Sequence, residues 1–204
     1  MEGQLPPSVV IRELDLTREY GMSRTPIREA LHRLHGEGMI RRVGPGGYIA
    51  HELGPKELSD LYQLREVLVG LAARLAAQNR SRIDVATLED TLDALDRAFS
   101  EDAADEADEL IRAFFHQIAD ASRNEYLRST FGRLTDLFRY KALAVTHPQW
   151  RDELRVRHRR LVDAIASSDE ERAERLAREL IVKSLAIRLE HFGQPSAQVA
   201  NLGS

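Results

Sequence analysis

Beyond the Gly54-Pro55 linker, hydrophobic residues recur at helical spacing in six successive stretches of the chain. The first stripe alternates three and four residues apart, which is the spacing of a seam between packed helices: Leu61, Leu64, Leu68, Leu71 and Leu75. Comparable stripes follow at 88–99, 110–118, about 125–145, about 151–167 and about 170–191. The connections are short, so the pattern predicts an antiparallel all-α helical bundle over residues 55–192, followed by a flexible polar tail at 193–204.

The first 54 residues follow a different pattern, with two short helical runs and a turn-rich segment. Residues 12–20 predict a short helix that ends at Gly21. Ser23 is a good N-cap for a second helix, which tolerates Pro26 in its first turn because the missing N–H would have had no helical partner. Helical spacing of the apolar residues then continues to His35.

A β-hairpin is predicted directly after the second helix. Two β-prone runs, 39–43 and 48–50, flank a four-residue Gly/Pro turn at 44–47. Helix, tight turn, helix and hairpin is the order of elements in a winged helix-turn-helix. The predicted fold class is therefore mainly α, with an N-terminal winged helix-turn-helix over 1–54 and a C-terminal antiparallel all-α helical bundle.

Composition narrows the class of protein further. Of the 204 residues, 43% are hydrophobic and 30% are charged, so wholesale disorder is excluded. The absence of cysteine excludes disulfides, thiolate metal sites and a cysteine nucleophile. No apolar run approaches the roughly 20 residues of a membrane helix, and the first residues carry no signal-sequence pattern. We therefore expect a cytoplasmic protein with no membrane partner.

The net charge of −4 hides an uneven distribution along the chain. Residues 1–54 carry seven basic and seven acidic side chains, whereas the remainder is acidic. Within the first part, residues 23–42 hold five arginines against two glutamates. A basic segment in a small neutral domain, beside an acidic helical remainder, indicates a division of labour between the two.

The segment from Ser23 to Leu31 is the most informative stretch for function. A helix N-terminus offers free amides and a positive dipole to a phosphate group. Arg24 and Arg28 are four residues apart, so they share one helix face and can enter a DNA major groove together. Thr25 adds a short donor. The alternative is that these arginines are solvated charges, balanced by nearby glutamates.

These residues resemble a known family of bacterial regulators. The motifs Arg12-Glu13-Leu14, Ser23-Arg24-Thr25-Pro26-Ile27-Arg28-Glu29-Ala30-Leu31 and Glu37-Gly38-Met39-Ile40 are similar to those of the GntR family. Signals in the helical part resemble its FCD-type, FadR-like branch: Leu64-Arg65, Phe115-His116, Ser122-Arg123-Asn124, and His158 followed by Asp163-Ala164-Ile165. The resemblance spans roughly residues 5–190.

The resemblance implies a function and a set of DNA contacts. The family binds palindromic double-stranded DNA operators as a homodimer, and a small organic acid in the helical domain usually alters the affinity for DNA. The implied DNA-contacting positions are three arginines, two polar residues and a glycine of the wing: Arg12, Arg24, Arg28, Ser23, Thr25 and Gly46. The family often has a further helix before Arg12, which we expect to be missing or truncated here because only about ten residues precede it.

The metal site that many members of this branch carry is degenerate in this sequence. The family pattern Asp-x-x-Phe-His reads Arg112-Ala113-Phe114-Phe115-His116 here. The second histidine matches His158, but the position of the third is Leu180. A guanidinium cannot deprotonate and repels a cation, so we expect no cofactor and no tightly bound metal; a residual divalent-metal site is the alternative.

A guanidinium at position 112 suggests a substitute chemistry for the effector site. Arg112 would pair directly with the carboxylate of a small acid, with His116 and His158 as additional hydrogen-bond donors. The resemblance implies Arg65 as another pocket residue. Two structural interpretations compete with this one. Arg112 and His116 belong to a ladder of charges four residues apart, which is typical of a solvated face. His158 lies on the apolar face of its helix, where a hydrogen-bonded core histidine is common.

The function predicted from the sequence is a ligand-responsive, DNA-binding transcription regulator rather than an enzyme. The acid would favour one geometry of the dimeric bundle and thereby change the spacing of the two recognition helices. One alternative is a helical dimerisation adaptor with impaired DNA binding. Another is a metal-dependent enzyme, for which the sequence contains no His-Glu-x-x-His, Gly-x-Ser-x-Gly or phosphate-binding glycine loop.

Overall fold

The computed structural model describes five parts of the chain: residues 9–36, 38–51, 53–137, 148–190 and 192. They form two compact units that divide after Gly54. Three expectations lie wholly or partly outside these described residues, namely the truncated first helix before Arg12, the part of the fourth helical stripe after residue 137, and the tail at 193–204. Among the described helices, none combines the length and apolarity that crossing a membrane would need.

The first unit is a winged helix-turn-helix, as predicted. Its elements are β1 (Ile11–Arg12), α1 (Glu13–Tyr20), α2 (Arg24–Gly36), β2 (Ile40–Val43) and β3 (Gly47–Ala50). The three strands form an antiparallel sheet in the order β1-β3-β2. A small core between helices and sheet holds them together: Ile11, Ile27, Leu31, Ile40 and Tyr48, with Leu16 and Leu34 packed against it.

Two details of this unit differ from the sequence-based prediction. Arg12 lies in strand β1, opposite Gly47, rather than at the start of a helix. Strand β1 has only two residues, too few to show a periodicity of two. The hairpin turn comprises three residues, 44–46, instead of four, because Gly47 already pairs with Val43. Gly44 and Gly46 have φ values of +61° and +74°, which only glycine adopts without strain.

The second unit is a helical bundle, as predicted. Its elements are α3 (Pro55–Asn79), α4 (Arg82–Ser100), α5 (Ala104–Ala121), α6 (Glu125–Leu137), a 3₁₀ turn (Pro148–Trp150), α7 (Arg151–Ala166) and α8 (Glu170–Glu190). Helix α3 packs against α5, α6, α7 and α8. Pro55 is the first residue of α3 rather than part of a linker, a position where its missing N–H costs no hydrogen bond.

The leucine stripe of α3 is not the buried seam that its spacing predicts. Leu64 and Leu71 are exposed. The buried residues of α3 include the larger Leu58 and Tyr62, but most of them are small: Val69, Gly70, Ala72, Ala73, Ala76 and Ala77. Small side chains let α8 approach closely. A Cβ at Gly70 would lie 2.8 Å from Cγ of Arg178 on α8. The close contact of α3 with α8 therefore depends on residues that a search for large apolar side chains overlooks.

Candidate DNA-binding surface and effector site

The outer face of α2 carries the residues predicted to contact DNA. Ile27 and Leu31 anchor the inner face of the helix in the core of the first unit. Ser23 directly precedes the helix, and Arg24 and Thr25 form its first turn; all three are exposed. The free amides of this first turn and two side-chain donors therefore point away from the core, as binding of a phosphate or a base edge requires.

Arg28 is held in a defined orientation by α1. Its Nε and Nη2 donate to the two carboxylate oxygens of Glu13 at 3.1 and 2.9 Å. This hydrogen-bonded guanidinium lowers the pKa of the Glu13 carboxyl, and Glu13 in turn raises the pKa of Arg28. The Arg28 side chain remains 60% exposed. The two hydrogen bonds to Glu13 therefore restrain its orientation while it stays at the surface. Sequence reasoning placed Glu13 in a motif but did not predict this role.

His32 extends the same face and was missed by the sequence analysis. It lies four residues after Arg28 and eight after Arg24, and it is exposed. The signal that could have found it is the same spacing of four that joins the two arginines. The outer face of α2 therefore presents a row of three nitrogen-bearing side chains.

The wing places further cations in the same unit. Arg12 pairs with Gly47 in the sheet, next to Gly46 in the turn. The side chain of Arg12 and the turn residues 44–46 are exposed. On β2, Arg41 and Arg42 are also exposed, and Nε of Arg42 donates to the hydroxyl of Tyr48 at 3.3 Å. A turn without bulky side chains, flanked by arginines, can approach a sugar-phosphate backbone closely.

His158 is the most unusual polar residue of the second unit. It is buried, and its ring makes edge-on contacts with Phe114 and Phe115 at centroid distances of 5.0 and 5.9 Å. Burial lowers the pKa of His158 to about 4, so the ring is neutral near pH 7. Nδ1 lies 2.6 Å from the carbonyl oxygen of Leu154, which assigns the single ring proton to Nδ1. Nε2 is buried, and no group in the described part of the chain donates a hydrogen bond to its lone pair.

This tautomer reverses the role expected for His158. The sequence analysis assigned it a donor role toward an acid. With its proton directed at Leu154, the ring offers an acceptor instead. A ligand at Nε2 must therefore bring its own donor, such as a hydroxyl group, or a buried water must bridge the gap.

Arg65 lies in the same aromatic cluster as His158. Its guanidinium carbon is 4.9 Å from the Phe115 ring centroid and 5.6 Å from that of Tyr62. Burial is the largest influence on Arg65 and lowers the pKa of its guanidinium, and the positive charge of Arg188 lowers it further. Nε of Arg188 donates to the Tyr62 hydroxyl at 2.6 Å. Two guanidiniums, one on α3 and one on α8, therefore meet at Tyr62, and the charge of Arg65 contributes to the lowered pKa of His158.

The structure places the other two predicted effector residues elsewhere. Arg112 is 43% exposed and pairs with Asp108, one turn earlier on α5. His116 is partly buried and contacts the ring of Phe131 on α6, at 5.6 Å between centroids. Of the four residues predicted to line the pocket, only Arg65 and His158 meet around one aromatic cluster. The Arg112–Asp108 pair matches the alternative of a charge ladder only in part, because Arg112 is exposed but Asp108 is buried.

The donor set does not fit a divalent metal. Among the described residues, no group of three or more His, Cys, Asp or Glu side chains comes close enough to hold an ion. Position 112 carries a cation, and Leu180 is a buried apolar side chain. The lone pair of His158 is a competent ligand atom, but a single imidazole beside the positive field of Arg65 does not bind a cation tightly.

Replacing His158 with phenylalanine is expected to reduce the decrease in the free energy of unfolding between pH 6.5 and 4. The pKa of His158 is about 4 in the folded protein and 6.5 for an unperturbed histidine, so the unfolded chain binds more protons between these values. The free energy of unfolding of the wild type therefore decreases as the pH falls from 6.5 to 4, by up to about 3 kcal/mol from this residue. Urea denaturation at several pH values, with His116→Phe as the matched control, measures the difference. Equal slopes for the His158 variant and the wild type would contradict the buried neutral ring.

The Ser122-Arg123-Asn124 motif forms a structural turn between α5 and α6. Ser122 Oγ donates to the carbonyl of Ala119 at 2.6 Å, and Asn124 Oδ1 accepts from the amide of Leu127 at 3.1 Å. Arg123 has a φ of +56° and donates to Asp84 at 2.6 Å. These contacts fix the chain reversal and account for the motif without a ligand.

Comparisons with known proteins agree with the two-unit organisation. Residues 60–183 match the FCD domain family, and residues 1–49 match the bacterial regulatory proteins of the gntR family. The Nta operon transcriptional regulator of Aminobacter aminovorans is 35% identical over 134 residues, 66% of this chain and 63% of that protein. The HTH-type transcriptional repressor GlaR of Escherichia coli K12 is 28% identical over 92% of this chain and 89% of its own length. The structure titled E. coli McbR/YncC shares the fold, with a TM-score of 0.76, 24% identity and coverage of 92% and 90% of the two chains.

Proposed function

We propose that this chain binds a palindromic operator as a homodimer. The chain belongs to the FCD branch of the gntR family and is a transcription regulator with a DNA-binding domain. Its affinity for the operator changes when a small carboxylic acid binds in the helical bundle. The observation that carries the DNA-binding part is the outer face of α2. There Arg24, Thr25 and the restrained Arg28 surround an exposed helix N-terminus.

The DNA contacts divide into two classes by their position. Arg24 and Arg28 lie on the helix face that enters a major groove in this fold, where an arginine can bind a guanine edge with two hydrogen bonds. Ser23 and Thr25 supply short donors to phosphates at the helix N-terminus. Arg12 and Gly46 belong to the wing and contact the backbone beside the groove. The protein acts in the cytoplasm, because its operator is part of the chromosome.

The effector is a carboxylic acid that also carries a hydrogen-bond donor. Arg65 supplies a cation for the carboxylate, since a charge-assisted hydrogen bond is strong in a partly desolvated site. Nε2 of His158 accepts a hydrogen bond from a hydroxyl group of the same ligand. This pairing predicts that a hydroxy acid binds more tightly than the matched acid without the hydroxyl group.

Control of DNA binding follows from a shift between two states of the dimer. A ligand that contacts α3 through Arg65 and α7 through His158 stabilises one arrangement of these helices. Pro55 begins α3 directly after the first unit, so a change in α3 is transmitted to the DNA-binding unit without a long intervening loop. The coupling free energy equals the difference between the two states in their free energy of acid binding.

The direct test is a binding titration with labelled DNA. This DNA contains an operator that has first been selected from a random DNA library by its binding to the purified chain. We expect the affinity to fall steeply with salt, because phosphate contacts release counterions, and to change when a hydroxy acid is added. A chain that dimerises but shows no preference for any DNA sequence would favour the alternative of an adaptor. The matched domains are those of transcription regulators and give the metal-dependent enzyme no support.

A further inference from the structure

Helix α3 carries an apolar stripe that the bundle does not cover. Leu64, Val67 and Leu71 are 49%, 48% and 40% exposed, although they lie in the middle of a 25-residue helix. The full stripe repeats at intervals of four and three residues and has polar ends: Asp60, Leu64, Val67, Leu71, Arg74 and Gln78. This is the heptad spacing by which two helices pack side by side. The exposed leucines predicted for a seam inside the bundle thus belong to a surface.

We propose that this stripe is the contact between two copies of the chain, with the two α3 helices packed antiparallel about a two-fold axis at Val67. The inference rests on the proposed homodimer and adds the surface that forms it. A two-fold axis requires the stripe to be complementary to itself. In the antiparallel arrangement Leu64 of one copy lies opposite Leu71 of the other, and Val67 lies opposite its own symmetry mate.

The charges at the ends of the stripe select this direction. In the antiparallel arrangement Asp60 of one copy lies opposite Arg74 of the other, at both ends of the contact. In the parallel arrangement each charge would face its own like charge, which is unfavourable. Asp60 lies seven residues before Val67 and Arg74 lies seven residues after it, so a two-fold axis at Val67 pairs the charges at both ends.

Neighbouring ion pairs form a polar rim around the apolar centre. Lys56 donates to Asp60 at 2.7 Å, and Arg74 donates to Glu174 of α8 at 3.2 Å. On the α8 side, Val182 is 52% exposed and extends the apolar area. An apolar centre with a rim of exposed charges is the usual composition of a specific protein interface. The partner therefore needs an apolar stripe with an acid at one end and a base at the other, which this chain itself supplies.

Disulfide trapping tests the proposed contact, because the chain contains no cysteine of its own. Val67→Cys alone should form a disulfide-linked dimer under mild oxidation, since only a residue at the two-fold axis meets its own copy within the roughly 4.4–6.8 Å between Cα atoms that a disulfide needs. Leu64→Cys and Leu71→Cys should link to each other in a mixed sample and link weakly when separate. Ile83→Cys, at a 77% exposed site on α4, is the control for random collisions and should remain unlinked.

Sedimentation of the unmodified chain separates the two levels of the proposal. A monomer at all concentrations would overturn the homodimer itself. A dimer in which Val67→Cys links no faster than Ile83→Cys would overturn this surface and leave the proposed function standing. Val67→Glu provides a second variant, whose like charges at the axis should raise the dimer dissociation constant by about 100-fold while the helical circular dichroism is retained. An unchanged dissociation constant would also contradict the proposal.

Discussion

Replacing Arg24 and Arg28 together with alanine is expected to weaken operator binding by at least about 30-fold. Both side chains lie on the exposed face of α2, four residues apart at the helix N-terminus. Loss of each base or phosphate contact by an arginine costs about 1–3 kcal/mol, and the two losses combine. The dependence of affinity on salt should also weaken, because fewer counterions are released. Fluorescence anisotropy with the selected operator at several salt concentrations measures both effects.

The matched control for this pair is Arg82→Ala. Arg82 is exposed at the start of α4 in the second unit, so its loss changes the net charge without touching α2. Operator affinity should stay within about twofold of the wild type, because a single distant surface charge acts mainly through screened electrostatics. If the double variant bound the operator as tightly as Arg82→Ala does, α2 would not be the recognition helix.

Replacing Arg65 with methionine is expected to abolish the response of DNA binding to the acid. Methionine keeps an apolar stem beside the rings of Tyr62 and Phe115 but removes the guanidinium. A charge-assisted hydrogen bond in such a site contributes about 1.5–3 kcal/mol, so acid affinity should fall by about 10- to 100-fold. Operator affinity without acid should be unchanged. Calorimetric titration with matched acids, with and without a hydroxyl group, measures the loss directly.

Arg112→Met distinguishes the two candidate cations for the effector. The guanidinium of Arg112 is already paired with the buried carboxylate of Asp108, so we expect its loss to leave the acid response intact. The opposite pattern, in which Arg112→Met loses the response and Arg65→Met keeps it, would place the carboxylate where the sequence analysis expected it. The same pair of variants therefore tests the structural and the sequence-based assignment together.

The winged helix-turn-helix was predictable because its signals are local. Ser23 precedes the helix, Pro26 fits its first turn, and the glycines of the wing have positive φ values that the turn requires. The local backbone conformation at each of these positions explains why that residue type occurs there. Strand β1 escaped prediction because it pairs with β3, more than thirty residues away, over two residues only.

The effector site was only partly predictable because its properties arise from contacts between distant helices. The spacing of four on α5 correctly placed Arg112 in line with Asp108, but it could not show that Arg112 pairs with a buried carboxylate. The periodicity of α7 indicated that His158 points inward. The direction of its proton depends on the distance from Nδ1 to Leu154, which no sequence pattern records.

Helix α3 shows the same limit in a different form. Its leucines have the spacing of a seam, yet the smaller residues Gly70, Ala73 and Ala77 are the buried ones, and Gly70 lies directly against Arg178 of α8. Spacing identifies a stripe but not the partner that covers it. Close helix packing favours small side chains, which leaves the larger ones available for a second contact.

Selection of bound sequences from a random DNA library is the decisive experiment for operator recognition by a dimer. The purified chain is incubated with the library, and the retained DNA is sequenced after several rounds. A homodimer with one recognition helix in each copy predicts enrichment of an inverted repeat, with two equivalent half-sites related by a two-fold axis. Enrichment of no sequence, or of a single half-site without its inverted mate, would show that this chain is not a dimeric operator-binding regulator.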